Sequence, residues 1–229
     1  NVFKEIPVIN DKRTPELKIR VGSANNKEQM HQALRRGMTW VVGSPMNDLV
    51  PWDVEPERSC NEENRKKFNE LIDYAHSLHL KYLIYSDEFT FHPALLKEIK
   101  ADLTPDDPRF WQAIQEKYRR TLAIIPKLDG VMIRTGELTQ AGGAYKAFDV
   151  MHDDDDDSDW SLEKRYRTFV KKVHEVVVGE FDKIYFHRTW VTNNYEQHSK
   201  YQVYRKIFTD DVPTTNFYTS PYVNANDRW

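Results

Sequence analysis

Short apolar runs alternate along this chain with segments in which apolar residues recur at helical spacing. Six runs predict strands at residues 18–22, 38–43, 81–86, 130–134, 183–190 and 214–220. Five segments between them predict helices at residues 27–36, 62–79, 109–125, 162–178 and 199–208. Strands that alternate with amphipathic helices indicate a parallel sheet covered by helices.

Three of the predicted helices show a clear apolar face, which we expect to pack on the sheet. Their apolar positions are Phe68, Leu71, Ile72, Ala75 and Leu78; Phe110, Ile114, Tyr118 and Leu122; and Tyr166, Phe169, Val170, Val173 and Val177.

Two parallel architectures fit this alternation, a doubly wound sheet and a (β/α)8 TIM barrel. A doubly wound sheet usually has a Gly-rich phosphate turn after its first strand. The segment "VGSANN" lacks that pattern, and no Gly-Lys-Ser/Thr phosphate loop occurs. The barrel is therefore favoured, but about six β/α units are visible where a closed barrel needs eight. We expect residues 1–229 to form one catalytic barrel domain that lacks its last units, with residues 1–16 as an extension or linker.

Composition excludes several classes of function. The formal net charge is −3 and no basic block occurs, which argues against a nucleic-acid partner. No apolar run reaches the roughly 18 residues of a membrane span. The histidines show no His-Glu-x-x-His pattern, and the aspartates at 153–157 lack the spacing of a calcium loop, which favours a solvated acidic loop. The sequence thus predicts neither a metal nor another cofactor.

Polar residues follow the predicted strands at the ends where barrel enzymes carry their functional groups. Asp87 and Glu88 end the third strand, and Arg134 and Glu137 follow the fourth. Two carboxylates flanking a glycosidic bond are the minimum for sugar hydrolysis, and Glu137 is the first candidate for the acid. Arg134 is either the partner of Glu137 in a buried structural pair or a ligand for an anionic substrate group.

Neighbouring residues of an extended strand point to opposite faces, so only one of Asp87 and Glu88 easily faces the barrel mouth. Each is a candidate for binding a sugar hydroxyl, and the alternative is a salt bridge in a loop. His187 and Arg188 on the fifth strand alternate in the same way. Arg188 is the candidate anion ligand, whereas a lone histidine is more often a core or rim residue.

The segments "AIIPKLDGVMIRTGELTQAGGA" and "KIYFHRTWVTNN" together resemble the α-glucuronidases of glycoside hydrolase family sixty-seven. In that family the fourth strand delivers the general acid, and Glu137 sits at that position. The fifth strand delivers an arginine followed by an aromatic residue and an asparagine, which match Arg188, Trp190 and Asn193. Arg134 is nearest to the family's uronate-contacting basic residue, and Asp227 in "NANDRW" matches an aspartate of its base pair.

This resemblance implies a carbohydrate substrate and inverting removal of a glucuronic acid cap from a xylan-type oligosaccharide. The two catalytic carboxyl groups would then stand roughly 6.5–9.5 Å apart. A polymer-derived substrate favours a secreted or periplasmic location. Three alternatives stay open: another barrel glycosidase that uses Glu88 with Glu137, a carbohydrate-binding or structural protein on a degenerate barrel, and a phosphate-handling barrel.

Overall fold

Six parallel strands form the main sheet in a computed structural model that describes residues 17–88, 90–100, 104–135, 146–147, 158–189 and 201–221. In spatial order the strands are β1 (Val21–Ser23), β2 (Trp40–Pro45), β3 (Lys81–Glu88), β5 (Gly130–Thr135), β7 (Ile184–Thr189) and β8 (Phe217–Pro221). The sheet curls into a half-barrel, which confirms the predicted incomplete (β/α)8 barrel.

Helices connect the strands and cover the convex face of the sheet. They are α1 (Lys27–Arg35), α2 (Glu57–Ser77), α3 (Pro93–Ile99), α4 (Pro108–Ile124), α5 (Leu162–His174) and α6 (Tyr201–Ile207). A separate two-stranded antiparallel sheet pairs β4 (Thr90–Phe91) with β6 (Lys146–Ala147). Among the helices described, none is both long and apolar enough to cross a membrane.

Several observed elements differ from the sequence-based prediction because their residues carry little periodic signal. Helix α2 begins at Glu57 rather than at residue 62, because its first turn is polar and has no apolar stripe. Helix α5 ends at His174, and Glu175–Glu180 continue it as a π-helical turn with buried valines. The short elements α3, β4 and β6 were not predicted, since each contributes too few residues to show a period.

The two faces of the sheet bury different sets of side chains, as expected for strands whose residues alternate. The convex face packs against the helices through Tyr82, Ile84, Val131, Ile133 and Tyr185. The concave face carries a smaller cluster made of Trp40, Leu83, Met132 and Phe186. All the predicted apolar positions of the three helices join the convex-face core; Leu71 and Leu78 are only partly buried there.

A buried ion pair joins the carboxyl end of β3 to helix α4. The Lys117 Nζ atom lies 2.5 Å from Glu88 Oε1, and both side chains are fully buried. The same oxygen accepts hydrogen bonds from the Ser86 hydroxyl at 2.6 Å and the Tyr118 hydroxyl at 2.8 Å. Burial lowers the pKa of Lys117, and the Glu88 carboxylate opposes that effect. The pair lies on the convex face, between the sheet and the helix.

Asp129 ties the amino end of β5 to β3 and α2. Its carboxylate accepts hydrogen bonds from the Tyr82 backbone N–H at 2.8 Å, Lys81 Nζ at 2.7 Å and His76 Nε2 at 2.7 Å. Burial alone would raise the pKa of Asp129, but the bonds from Lys81, Tyr82 and His76 bring that pKa below its ordinary value. The turn before β5 is thereby bonded to β3 and to helix α2.

We predict that Asp129→Ala lowers the free energy of unfolding by about 1–3 kcal/mol at neutral pH, because the partly buried Tyr82 N–H and the His76 and Lys81 side chains lose a charged acceptor. Since the folded pKa of Asp129 is lowered, its contribution is complete above the unfolded value of about 4 and disappears as the pH falls through the folded value. Urea unfolding at several pH values measures this difference. Asp73→Ala, at an exposed ion pair with Lys127, is the matched control. A difference from wild type that stays constant down to strongly acidic pH would contradict the assignment.

We also predict that Lys117→Met or Glu88→Gln alone costs about 3–5 kcal/mol, because each leaves one buried charge without its partner. The double variant should lose much less than the sum, because no charge is stranded and the glutamine still offers an oxygen to Ser86 and Tyr118. Urea unfolding of the four proteins gives the coupling energy. Additive losses would mean that the two side chains do not stabilise each other.

Candidate active site

A cavity of about 210 Å³ opens on the concave face at the carboxyl ends of the strands. This volume is below the roughly 300–1,000 Å³ of pockets for drug-sized ligands, so it suits one small polar group or ring. Its lining comes from five neighbouring strands and the loop after β1: Ser23, Asn25, Val42, Tyr85, Asp87, Met132, Arg134 and Arg188.

Three charged side chains of this lining form a row across the sheet. Asp87 is in register with Arg134 on the next strand, and Arg134 is in register with Arg188 on the strand after that. Residues in register on parallel strands share a face, so the pairing of β3, β5 and β7 brings the three groups together. The row lies one layer above Tyr85, Met132 and Phe186, which are also in register.

Asp87 and Arg134 make a bidentate ion pair within the row. Arg134 donates from Nε to Asp87 Oδ1 at 2.5 Å and from Nη2 to Oδ2 at 2.8 Å. The two side chains are 9% and 16% exposed, so the pair is largely shielded and still reaches the cavity. Two parallel charge-assisted bonds fix both the position and the orientation of the planar groups.

Tyr85 lies on the same face of β3 as Asp87, one layer deeper. Burial raises the pKa of the Tyr85 phenol, and the negative charges of Asp87 and Asp48 raise it further. The phenol is therefore neutral at physiological pH. It offers the cavity one hydroxyl that can both donate and accept a hydrogen bond.

The rim beside β1 is shaped by the close approach of β2 to the loop that follows β1. Asn25 Oδ1 accepts a hydrogen bond from the Ser44 backbone N–H at 3.1 Å, and the Ala24 carbonyl accepts one from the Tyr82 hydroxyl at 2.7 Å. A Cβ atom on Gly43 would lie 2.5 Å from the Ala24 carbonyl oxygen and would also collide with the Tyr82 hydroxyl. Only glycine fits at position 43. The hydrogen bond from the Ser44 N–H holds the Asn25 side chain at the rim.

Sequence reasoning did not select Ser23, Asn25 or Tyr85, although all three line the cavity. Ser23 and Asn25 belong to "VGSANN", which we had considered only as a possible phosphate turn. Its position at the end of the first strand was the signal that could have found them. Tyr85 shares a face with Asp87 two residues later, so strand alternation alone would have paired them.

The structure separates the two adjacent pairs of polar residues, as strand alternation requires. Glu88 is buried against Lys117 on the convex face, whereas Asp87 lines the cavity. Asp87 forms a salt bridge with Arg134 on the adjacent strand, whereas the alternative considered for Asp87 was a salt bridge in a loop.

His187 is fully buried, and its Nδ1 atom lies 3.1 Å from the Tyr185 hydroxyl. Its ring packs against Phe169 of α5 and against Phe208, which follows α6. It therefore lies in the convex-face core, while Arg188 reaches the cavity. Of the predicted substrate-binding residues that the structure describes, Asp87, Arg134 and Arg188 come together, and Glu88 and His187 do not join them.

The other predicted site residues, Glu137, Trp190, Asn193 and Asp227, lie outside the described residues. Glu137 follows Thr135, the last residue of β5, by two positions in the sequence. Within the described part of the chain, no three histidine, cysteine, aspartate or glutamate side chains are grouped as metal ligands.

Comparison with known proteins gives a likeness of fold alone. No family model matches the chain, and neither does any curated protein. A glycoside hydrolase family 5 enzyme from Prevotella bryantii, solved with a xyloglucan tetradecasaccharide, aligns with 86% of this chain and 54% of its own, at 11% identity and a TM-score of 0.50.

Two further structures align less closely. A family 138 glycoside hydrolase that targets pectin rhamnogalacturonan II aligns with 85% of this chain and 21% of its own, at 11% identity and a TM-score of 0.49. Hydroxymethylglutaryl-CoA lyase from Pseudomonas aeruginosa aligns with 91% and 55%, at 12% identity and a TM-score of 0.42. The chain thus spans about half, or less, of the length of these proteins, and the likeness to the family 5 enzyme agrees with the barrel architecture.

Proposed function

We propose that this chain belongs to a glycoside hydrolase that acts on a carbohydrate bearing a uronic acid. The observation that carries the proposal is the row of Asp87, Arg134 and Arg188 in a cavity at the carboxyl ends of the strands. In (β/α)8 enzymes this is the face where substrates bind and react. The likeness of fold to a xyloglucan-bound family 5 enzyme supports the carbohydrate class, and the sequence resemblance supports the uronic acid.

The lining offers the chemical groups that a sugar acid needs. A guanidinium presents a planar pair of N–H donors that matches a carboxylate, so Arg188 is proposed to bind the uronate. Asp87 and the neutral phenol of Tyr85 provide acceptors and a donor for ring hydroxyls. The Asn25 amide at the rim adds a donor and an acceptor. The row is proposed to fix the sugar by its acidic group.

Glu137 is proposed as the general acid that protonates the leaving oxygen of that bond. Asp227 is proposed as part of the base that activates water from the opposite side, which would invert the anomeric centre. This scheme needs a distance of roughly 6.5–9.5 Å between the acid and base carboxyl groups, enough for a water molecule.

We predict that the protein releases free glucuronic acid from glucuronic-acid-capped xylo-oligosaccharides, and that Glu137→Gln slows release by about 10²–10⁴-fold through loss of proton transfer. Affinity for the sugar should stay within a few-fold, because glutamine keeps the size of the side chain. Glu62→Gln, an exposed residue of α2 paired with Lys66, is the matched control and should leave the rate unchanged. Binding of the oligosaccharide without any release would identify a carbohydrate-binding protein instead.

Arg188→Gln should weaken binding of free glucuronate by about 10–100-fold, because a hydrogen bond to a charged group contributes about 1.5–3 kcal/mol. Calorimetric titration measures this loss, and neutral glucose should show little change. Lys171→Gln removes a cation from an exposed ion pair on helix α5 and serves as the control. An equal loss of affinity for glucose and glucuronate would contradict the role of Arg188 as the uronate ligand.

A further inference from the structure

The charges that line the cavity are unequal in number. Two of its eight lining residues, Arg134 and Arg188, are cations, and one, Asp87, is an anion. The other five are neutral, including the Tyr85 phenol, which its surroundings keep protonated. Among the residues that the structure describes, the lining therefore carries one net positive charge, from two cations and one anion. This is the charge that a ligand with a single negative charge would balance.

Asp87 is the one anion among the described residues that line the cavity. Both of its carboxylate oxygens are bonded to Arg134, one to Nε and one to Nη2. The pair is held on rigid neighbouring strands and is mostly shielded from water, so the charge of Asp87 acts strongly inside the cavity. Arg188 lies one strand beyond Arg134, so a ligand held by Arg188 would lie beside the guanidinium that Asp87 neutralises.

We propose that Asp87 determines which acidic sugars the cavity admits, by neutralising Arg134 so that the site accepts one negative charge and rejects two. The proposal rests on the proposed function, namely that the cavity binds the acidic group of a sugar. A uronate or a sulfate ester carries one negative charge and fits this balance. A phosphate ester with two negative charges would bring one more negative charge than the described lining balances once Asp87 has neutralised Arg134, and that excess selects against it.

Glucose 6-sulfate and glucose 6-phosphate test this directly, because the two probes share a tetrahedral group on the same sugar and differ in charge. At about pH 8 the phosphate ester is doubly charged, since its second pKa is near 6. Calorimetric titration of the wild-type chain should show tighter binding of the sulfate. In Asp87→Asn the ratio of the two affinities should shift by about tenfold or more towards the phosphate, because the lining gains one positive charge.

A second variant tests whether the shift comes from the added positive charge or from loss of the Asp87 side chain itself. Asp87→Asn with Arg134→Gln removes the ion pair as a unit, leaves no buried cation without a partner and restores one net positive charge in the lining. Its preference should return towards the sulfate. Asp73→Asn, at the exposed pair between α2 and Lys127 in the turn after α4, loses a carboxylate that does not line the cavity and should keep the wild-type ratio.

The outcomes separate this inference from the proposed function. If the wild type binds sulfate and glucuronate but Asp87→Asn does not change the ratio to phosphate, Asp87 does not set the charge preference, although the cavity still binds acidic sugars. Tighter binding of phosphate than of sulfate by the wild type would also overturn the inference. If the wild type binds none of the three acidic sugars, the proposed acidic-sugar function fails and this inference fails with it.

Discussion

The parallel, in-register pairing of β3, β5 and β7 is the constraint on which the rest of the structure depends. It sends alternate side chains to opposite faces, so each adjacent pair of polar residues is divided between two environments. Asp87 and Arg188 reach the concave cavity, while their neighbours Glu88 and His187 enter the core under the helices. One set of backbone hydrogen bonds thereby builds both a polar site and the buried network behind it.

The ion pairs on the two faces of the sheet lie in different environments. On the concave face the Asp87–Arg134 pair keeps some contact with solvent, so its charges are available to a ligand. On the convex face the Glu88–Lys117 pair is completely buried, and its charges are balanced inside the protein, where Glu88 also accepts hydrogen bonds from Ser86 and Tyr118. A carboxylate thus lines a cavity on one side of the sheet and attaches a helix on the other.

Much of the architecture could be predicted from periodicity, and the site only in part. The apolar spacing in α4, with Phe110, Ile114, Tyr118 and Leu122 fully buried, is strong enough to identify a helix and its face. Strand alternation could state that only one of Asp87 and Glu88 faces the mouth, but not which one, because that depends on how the sheet curls. The partner of Arg134 could not be read from spacing either, since Asp87 is 47 residues earlier in the chain. The sequence does not distinguish Lys117 from other lysines of helices, and its contact with Glu88 is visible only in the fold.

The buried Lys117–Glu88 contact has a mechanical consequence for the helix layer. The hydrophobic effect is non-directional, so an ion pair between a helix and a sheet adds a directional contact to the apolar packing. A displacement of α4 by one turn, about 5.4 Å, would carry Lys117 away from Glu88 and leave two opposite charges without solvent. The ion pair therefore opposes displacement of α4 along β3. It also fixes the end of β3, the strand that presents Asp87 to the cavity.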